Sequence, residues 1–493
     1  MAARLSRLQT FGQFIDGQWV EGHSGETIEL TNPATRQTLA YIQAGDAVDV
    51  NRAVTAAYDA LSPWSRTSAG ARGQILRAIA DRVRLRRLDY AMMESLNNGK
   101  TISEAYRHDL SEVIGLYEYY AGAALHLHGE VADSADSTML VHREPIGVVA
   151  QIIPWNVPML MAAFKLAPAL AAGCTVVLKP AETVCLSVME FIRDIADLLP
   201  KGVVNVITGL GSVVGEPLVT HPKVRKVAFT GSRATARKIM GYASSNIIPQ
   251  TLELGGKSAN IICDDADLQA AAESVVISTV FNKGEVCLAG TRVFVHRSVY
   301  DEVLAIAKDL TSKVKQGDPT DVVTQLGAQA SKVQFDRVMA YMDIARAEGA
   351  RAITGARAAR IKGLEDGLFV EPTLFENVSN DMRIAREEVF GPVTVFIPWT
   401  DESDMLQRVN DSDYGLGGGV WTRNLARAHR LSRAMQTGTV WVNRYYNFQP
   451  GQSLGGYKQS GFGRENTFET LLEYTVTKSV VINLNEGAMG IFH

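Results

Sequence analysis

The stretch that decides the fold runs over residues 146–254, where five short apolar segments recur: IGVVAQII (146–153), CTVVL (174–178), VVNVIT (203–208), VRKVAFT (224–230) and QTLEL (250–254). Each is rich in β-branched residues. Their starts lie about 20 to 30 residues apart with helix-patterned sequence between them, the spacing of successive βαβ units. Their hydrophobicity is continuous rather than alternating, which suits strands buried on both faces of a parallel sheet. A doubly wound α/β domain is expected.

Outward from this stretch, a second series begins with SANIIC at Ser258 and a helix over 266–281. Strands over 291–295, 369–374 and 393–398, with helices over 299–314 and 425–435, predict a second α/β domain of similar size. Upstream, FIDGQWVEG turns on Asp16-Gly17 as a hairpin, and helical periodicity covers 47–60, 69–97 and 103–126. Segments 125–142 and 475–485 alternate like exposed antiparallel strands. A protruding arm that pairs with another subunit would protect such edges.

A chain of 493 residues is too long for one core and predicts two or three domains. Hydrophobic residues at 46% exclude a disordered chain. A net charge of −4 gives no basic field for nucleic acid or an anionic membrane. No apolar run reaches the roughly 20 residues of a membrane span, because Pro154, Asn156, Pro158, Lys165 and Pro168 interrupt the most apolar region. Arg4 and Arg7 precede no apolar core of a secretory signal, and the hairpin starts too early to leave room for a transit peptide. Four cysteines without C-x-x-C spacing fit a reducing cytoplasm rather than a disulfide framework or a zinc site. The nine histidines form no ligand pair of metalloprotease spacing, so no metal is expected.

Among the cysteines, Cys174, Cys185 and Cys263 sit in strand or helix contexts and read as packing. Cys287 in FNKGEVCLAG differs, since Gly284 permits a backbone turn that exposes it; its residue context leaves packing and catalysis evenly matched. Glu253 ends an apolar strand just before Gly255-Gly256, so its carboxylate is paired, protonated or working as an acid or base. A salt bridge to Lys257 is the plain alternative. Asn156 lies between Pro154 and Pro158 at a strand's C-terminal end, where parallel sheets place ligands. Held rigidly, its amide could donate to an oxyanion; as a turn residue it would bond its own backbone. Lys179 with Glu182 is either a grip for a ribose or phosphate or a solvated charge pair. Gly209-Leu210-Gly211 and Phe229-Thr230-Gly231-Ser232 both join a strand to a helix, and each alone is a weak dinucleotide signal.

Together these residues resemble the aldehyde dehydrogenase superfamily over nearly the whole chain. The matching signatures stand in order: PWNVP (154–158), LKPAE (178–182), FTGS (229–232), LELGGKSAN (252–260), FNKGEVC (281–287), EEVFGPV (387–393), WVN (441–443) and GGYKQSGFGREN (455–466). The resemblance implies two doubly wound α/β domains, one an atypical Rossmann cofactor domain, with a small β oligomerisation arm. It assigns residues 1–124 and 144–253 to NAD binding, 254–474 to catalysis, and 125–143 with 475–493 to the arm. It implies a homodimer or homotetramer.

It further implies that Cys287 is the nucleophile, that Asn156 and the Cys287 N–H hold the oxyanion, and that Glu253 activates water to hydrolyse a thioester. Lys179 and Glu182 would hold the adenosine ribose, Ser232 the pyrophosphate after Gly231, and Gly211 and Phe229 would wall the adenine. Glu388 and Phe390 would position the nicotinamide ribose, which Gln334 would also reach. Ile153 and Trp155 would line the cofactor channel, with Leu254 beside the nicotinamide. Glu182 favours NAD over NADP, since a carboxylate repels a 2′-phosphate. Phe164, Val286, Leu288, Phe448 and Leu454 would wall the substrate pocket, predicting an uncharged aliphatic or aromatic aldehyde. An inward Arg444 would instead suit a carboxylate-bearing semialdehyde. A CoA-acylating enzyme, against which Glu253 counts, and an inert NAD-binding scaffold are the other readings. This sequence departs from the family at Ala236, where glycine is common, and at Glu285, where glutamine is. Left unpaired, Glu285 would raise the Cys287 pKa.

Overall fold

The computed structural model describes residues 8–487; residues 1–7, with Arg4 and Arg7, and 488–493, at the end of the expected arm, lie outside the described residues. Its first hairpin pairs β1 (Gln13–Ile15) with β2 (Gln18–Val20), Asp16 and Gly17 turning at φ 52° and 75°. Helices α1 (Ala47–Ser65), α2 (Ala69–Leu85), α3 (Arg87–Asn98) and α4 (Leu110–Ala123) follow. Two of the expected helices are interrupted. Arg86 separates α2 from α3 without disturbing the apolar face, since Val83 and Tyr90 on either side are both buried. A π turn at Ala105–Asp109 precedes α4, and its Asp109 meets the buried Lys100 Nζ at 2.5 Å.

The decisive stretch folds as expected. Strands β5 (Val148–Ile152), β6 (Thr175–Lys179), β7 (Val204–Val206), β8 (Val224–Thr230) and β9 (Gln250–Glu253) are parallel, preceded by the antiparallel pair β3 (Glu130–Asp133) and β4 (Ser137–Pro145) of another sheet. The crossovers are α5 (Pro158–Ala172), α6 (Leu186–Ile195), α7 (Gly211–Thr220) and α8 (Arg233–Ser244). Along β5, Val149 belongs to the same core as Leu166 and Tyr117, while Val148 and Ala150 belong to a second core with Val54 and Leu218. Burial on both faces is why these segments carry no alternation; each large apolar side chain so buried is worth about 1.5–3 kcal/mol.

The second series runs β10 (Ala259–Ile262), α9 (Leu268–Val280), β11 (Arg292–His296), α10 (Tyr300–Ser312), α11 (Lys332–Ala347), β12 (Arg351–Thr354), β13 (Thr373–Glu376), β14 (Val393–Trp399), α12 (Glu402–Asn410), β15 (Gly417–Trp421), α13 (Leu425–Ala434) and β16 (Thr439–Val442). The strand expected over 369–374 starts later, at Thr373, because Pro372 before it has no N–H for the ladder. Last come β17 (Gly461–Phe462) and β18 (Thr475–Asn483).

Besides a small sheet of Thr10–Phe11, Thr38–Gln43 and Thr27–Thr31, the strand orders are β17-β9-β8-β5-β6-β7-β1-β2, then β12-β13-β14-β11-β10-β15-β16, then β18-β4-β3. In the first sheet the chain moves from β5 through β6 to β7, then returns to β5's other side for β8. This reversal opens a crevice beyond the strands' C-terminal ends. The second sheet reverses the same way about β10. The segment from β9 to β10 carries the chain directly from one sheet to the other.

Candidate active site

The loop leaving β5 carries Pro154 to Pro158, and Pro158 opens α5 at a position whose N–H would be unused in any helix. Asn98, at the end of α3, donates its amide to the carbonyls of Trp155 at 2.8 Å and Asn156 at 3.2 Å. Asn282 donates to the same Asn156 carbonyl at 3.0 Å. The Asn156 side chain does not close a local turn. One N–H donates across to the Glu285 carbonyl at 3.0 Å, leaving the other for a ligand in the cavity this residue lines.

Cys287 follows α9 through a turn in which Asn282, Lys283 and Gly284 take φ of 45°, 61° and 71°. A Cβ on Gly284 would lie 2.1 Å from the Gly391 carbonyl oxygen, so glycine is required there. Cys287 is half-buried, whereas Cys174, Cys185 and Cys263 are buried, and no cysteine is in a disulfide. Burial pushes its thiol up to about 12, with the Glu388 and Glu253 carboxylates adding to the shift; its own N–H and that of Leu288 oppose it. Glu285 is not among those causes. It is wholly buried and paired to Lys283 Nζ at 3.0 Å, so it leaves no free charge beside the thiol. Since the resting sulfur is a thiol, alkylation of Cys287 by iodoacetamide should accelerate steadily from about pH 7 to about pH 10. Mass-spectrometric labelling rates would check this, and a plateau near neutrality would contradict it.

Glu253 ends β9 and forms no ion pair with Lys257; burial holds its carboxyl well above the usual range. Glu465 reinforces the shift, Lys165 and Arg464 oppose it, and Glu473 adds to it. Its Oε1 is buried without a hydrogen-bond partner. The two glycines beyond it are explained by what they touch. A Cβ on Gly255 would lie 2.2 Å from the Glu388 carboxylate, and one on Gly256 would lie 2.3 Å from the Cys287 carbonyl oxygen. The Gly256 N–H also donates to Glu388 Oε1 at 2.9 Å. Acid, thiol and Glu388 therefore meet at one seam, where a cavity of about 1090 Å³ is lined by Asn156, Glu253, Cys287 and Glu388.

Of the cofactor candidates, Trp155, Gly231, Ser232, Leu254, Gln334, Glu388 and Phe390 line this cavity. Trp155 meets Phe390 edge-on, with centroids 5.5 Å apart. Gln334 spends its NH2 on the carbonyls of Val389 and Phe390, at 3.2 and 2.6 Å, so only its oxygen is left for a ligand. Ser232 caps α8, accepting from Thr235 N–H at 3.2 Å. Lys179, Glu182 and Gly211 form a separate cluster at the ends of β6 and β7, the Lys179–Glu182 pair lying at 2.6 Å. Burial works against the Glu182 charge, but Lys179 and the Gly211 N–H outweigh it and hold this carboxyl below its usual range. Ile153 and Phe229 are core residues, 2% and 3% exposed, outside the cavity lining.

All five pocket candidates, Phe164, Val286, Leu288, Phe448 and Leu454, line the cavity. Tyr446 joins them, 6.1 Å from the Phe448 ring and 5.3 Å from Phe281. Arg444 is exposed at the rim. Sequence reasoning missed Asn98, Asn282 and Lys283, which tie the two loops together. Its one available signal was the run of amides Asn97-Asn98 before Gly99, which reads equally as a helix C-terminus. Among the described residues no group of His, Cys, Asp and Glu could hold a metal ion, and no helix is long and apolar enough to cross a membrane.

Comparison with known proteins bears on the whole chain. The model of the aldehyde dehydrogenase family matches residues 19–480. An aldehyde dehydrogenase of Deinococcus radiodurans is 44% identical over 98% of this chain and 95% of its own length. Acetaldehyde dehydrogenase 2 of Cupriavidus necator is 43% identical over 98% and 97%. Betaine aldehyde dehydrogenase of Staphylococcus aureus, solved in complex with NAD+, superposes with a TM-score of 0.97 at 38% identity, covering 100% of this chain and 98% of that one. The NAD+ complex of a Bacillus cereus aldehyde dehydrogenase gives 0.95 at 40% identity, covering 98% of each chain.

Proposed function

The chain belongs to the aldehyde dehydrogenase family, and from that premise we propose that Cys287 is its nucleophile, Asn156 its oxyanion donor and Glu253 the base that releases the product. It oxidises an aldehyde to the carboxylic acid with NAD. The observation that carries the assignment is the contact at Gly256. The backbone leaving Glu253 touches the Cys287 carbonyl so closely that no side chain fits between them, and both residues face one cavity.

The residues present suit a dinucleotide. Glu182 offers a carboxylate for hydroxyls beside the N-terminus of α7, and Ser232 opens α8 at the crevice's edge, where N–H groups favour a pyrophosphate. NAD, when bound, supplies the acceptor for the hydride that leaves the substrate carbon. Cys287 gives its thiol proton to solvent and attacks the carbonyl carbon as a thiolate. The free N–H of Asn156 and the Cys287 N–H stabilise the oxyanion that forms. Glu253 takes a proton from water, which attacks the thioester and frees the acid. The aromatic and aliphatic wall of Phe448, Tyr446, Leu288 and Leu454 supports an uncharged aliphatic or aromatic aldehyde. Four cysteines outside any disulfide support a cytoplasmic setting. The outer edge of β18, a nine-residue strand exposed along most of its length, supports a homo-oligomer joined at the arm formed by β3, β4 and β18, and hence the division of the chain into cofactor, catalytic and arm segments.

An aldehyde panel assayed with NAD and NADP, with and without CoA, tests the activity. NADH should form without CoA, with kcat/KM favouring NAD by about tenfold or more, because Glu182 repels a 2′-phosphate. Strict dependence on CoA would assign the acylating branch. NAD binding without NADH across the panel would mark an inert scaffold.

A further inference from the structure

The nucleophile and the oxyanion amide stand on different loops, one after α9 and the other after β5, so something must hold them in mutual register. We propose that the buried Lys283–Glu285 ion pair is that device: a pair of positioning residues that locks the Cys287 loop to the Asn156 loop. The proposal rests on Cys287 and Asn156 having the roles given above.

One ion-pair contact and a set of hydrogen bonds form a closed circuit. Lys283 Nζ reaches Glu285 Oε2 at 3.0 Å and donates to the Asn98 carbonyl at 3.1 Å and to the Asn98 side-chain oxygen. The Asn98 amide donates to the carbonyls of Trp155 and Asn156, as described above. The Asn156 amide returns to the Glu285 carbonyl at 3.0 Å, closing the loop. Glu285 Oε1 is fixed from outside by the Ala330 N–H at 3.0 Å. Both charged side chains are fully buried, so water cannot substitute for either partner.

The backbone needs such a restraint. Lys283 holds φ at 61°, a left-handed conformation that a lysine does not favour, between two other left-handed residues. The turn is followed, within four residues, by Cys287. Its direction sets where the Cys287 N–H and Sγ stand relative to the Asn156 amide. The bonds to Asn98 take up the remaining donors of the buried ammonium. Those bonds reach the second loop.

The test uses the full chain and the variants Lys283→Met, Glu285→Gln and Lys283→Met/Glu285→Gln. The double variant keeps an acceptor for the Ala330 N–H and leaves no buried charge unpaired. Four quantities are read: the melting temperature and, below every variant's melting temperature, the NAD dissociation constant, the pre-steady-state NADH burst rate and iodoacetamide labelling mapped to Cys287. The single variants should lose burst and labelling rates by about tenfold or more with NAD affinity held within about twofold, since small misplacements at a reacting centre are costly. The double variant should regain melting temperature but not burst rate, because its link to Asn98 is gone. Recovery of both would overturn the proposal, as would single variants with unchanged rates or with NAD affinity falling in parallel. Labelling of Cys287 reports its placement even if another thiol proved catalytic, which separates this proposal from the assignment of the nucleophile.

Discussion

Cys287→Ala is expected to abolish aldehyde oxidation, lowering kcat by at least about 10⁴-fold, while the dissociation constant for NAD stays within about twofold of the wild-type value. The reasoning is geometric. Among the four cysteines only Cys287 is exposed to the cavity, and the others are sealed in the cores around β6, α6 and β10. Removing its sulfur leaves no thiol in the cavity, and the Asn156 amide cannot form the covalent bond in its place. The change is also small. Alanine preserves the backbone N–H and the turn at Gly284, so the seam keeps its shape and the dinucleotide residues keep theirs. Steady-state turnover by the alanine variant, or loss of activity on changing Cys185 or Cys263 instead, would remove the central assignment.

Glu253→Gln should separate the two halves of the reaction. With Glu253 proposed as the base of hydrolysis alone, a burst of NADH near one equivalent per site should persist, followed by turnover about 10²- to 10³-fold slower. The pH dependence has a defined sign. Burial holds Glu253 well above the usual carboxylate range, so at low pH the group is protonated and cannot accept a proton from water. Wild-type deacylation should therefore rise as pH increases through that raised value. In the glutamine variant the residual rate should follow hydroxide rather than show the Glu253 titration. Stopped-flow absorbance at the NADH band measures burst and steady phases together. A variant with no burst would mean that Glu253 serves the first step as well.

The parallel sheet was legible because burial on both faces leaves an unmistakable pattern: five continuous β-branched runs with helix-sized gaps. The strand at Gly417–Trp421 was not. Its sequence, GGGVW, looks like a loop, yet a Cβ on Gly418 would lie 2.3 Å from Met435 and one on Gly419 2.6 Å from Asn260. Glycine there answers to tertiary crowding that no local pattern encodes. The broken helices escaped notice for the opposite reason, since the apolar periodicity runs on across Arg86.

At the site, Cys287, Glu253 and Asn156 each left plain packing and catalysis open when read by residue context; the family resemblance supplied their roles. The geometry adds that all three line one cavity. The partners that orient them were not legible, because Asn98 lies far from Cys287 along the chain and its amide bonds exist only once α3 meets the β5 loop. The Glu285 departure carried a sign that depended on its neighbour. Only the fold shows that Lys283 takes up its charge.

The contact between Gly256 and the Cys287 carbonyl has a mechanical side. With no side chain on one partner and an unyielding peptide on the other, the segment bearing the acid and the segment bearing the sulfur cannot slide past each other or be adjusted independently. The spacing between the two chemical events is thus set by a single backbone contact rather than by two loops placed separately.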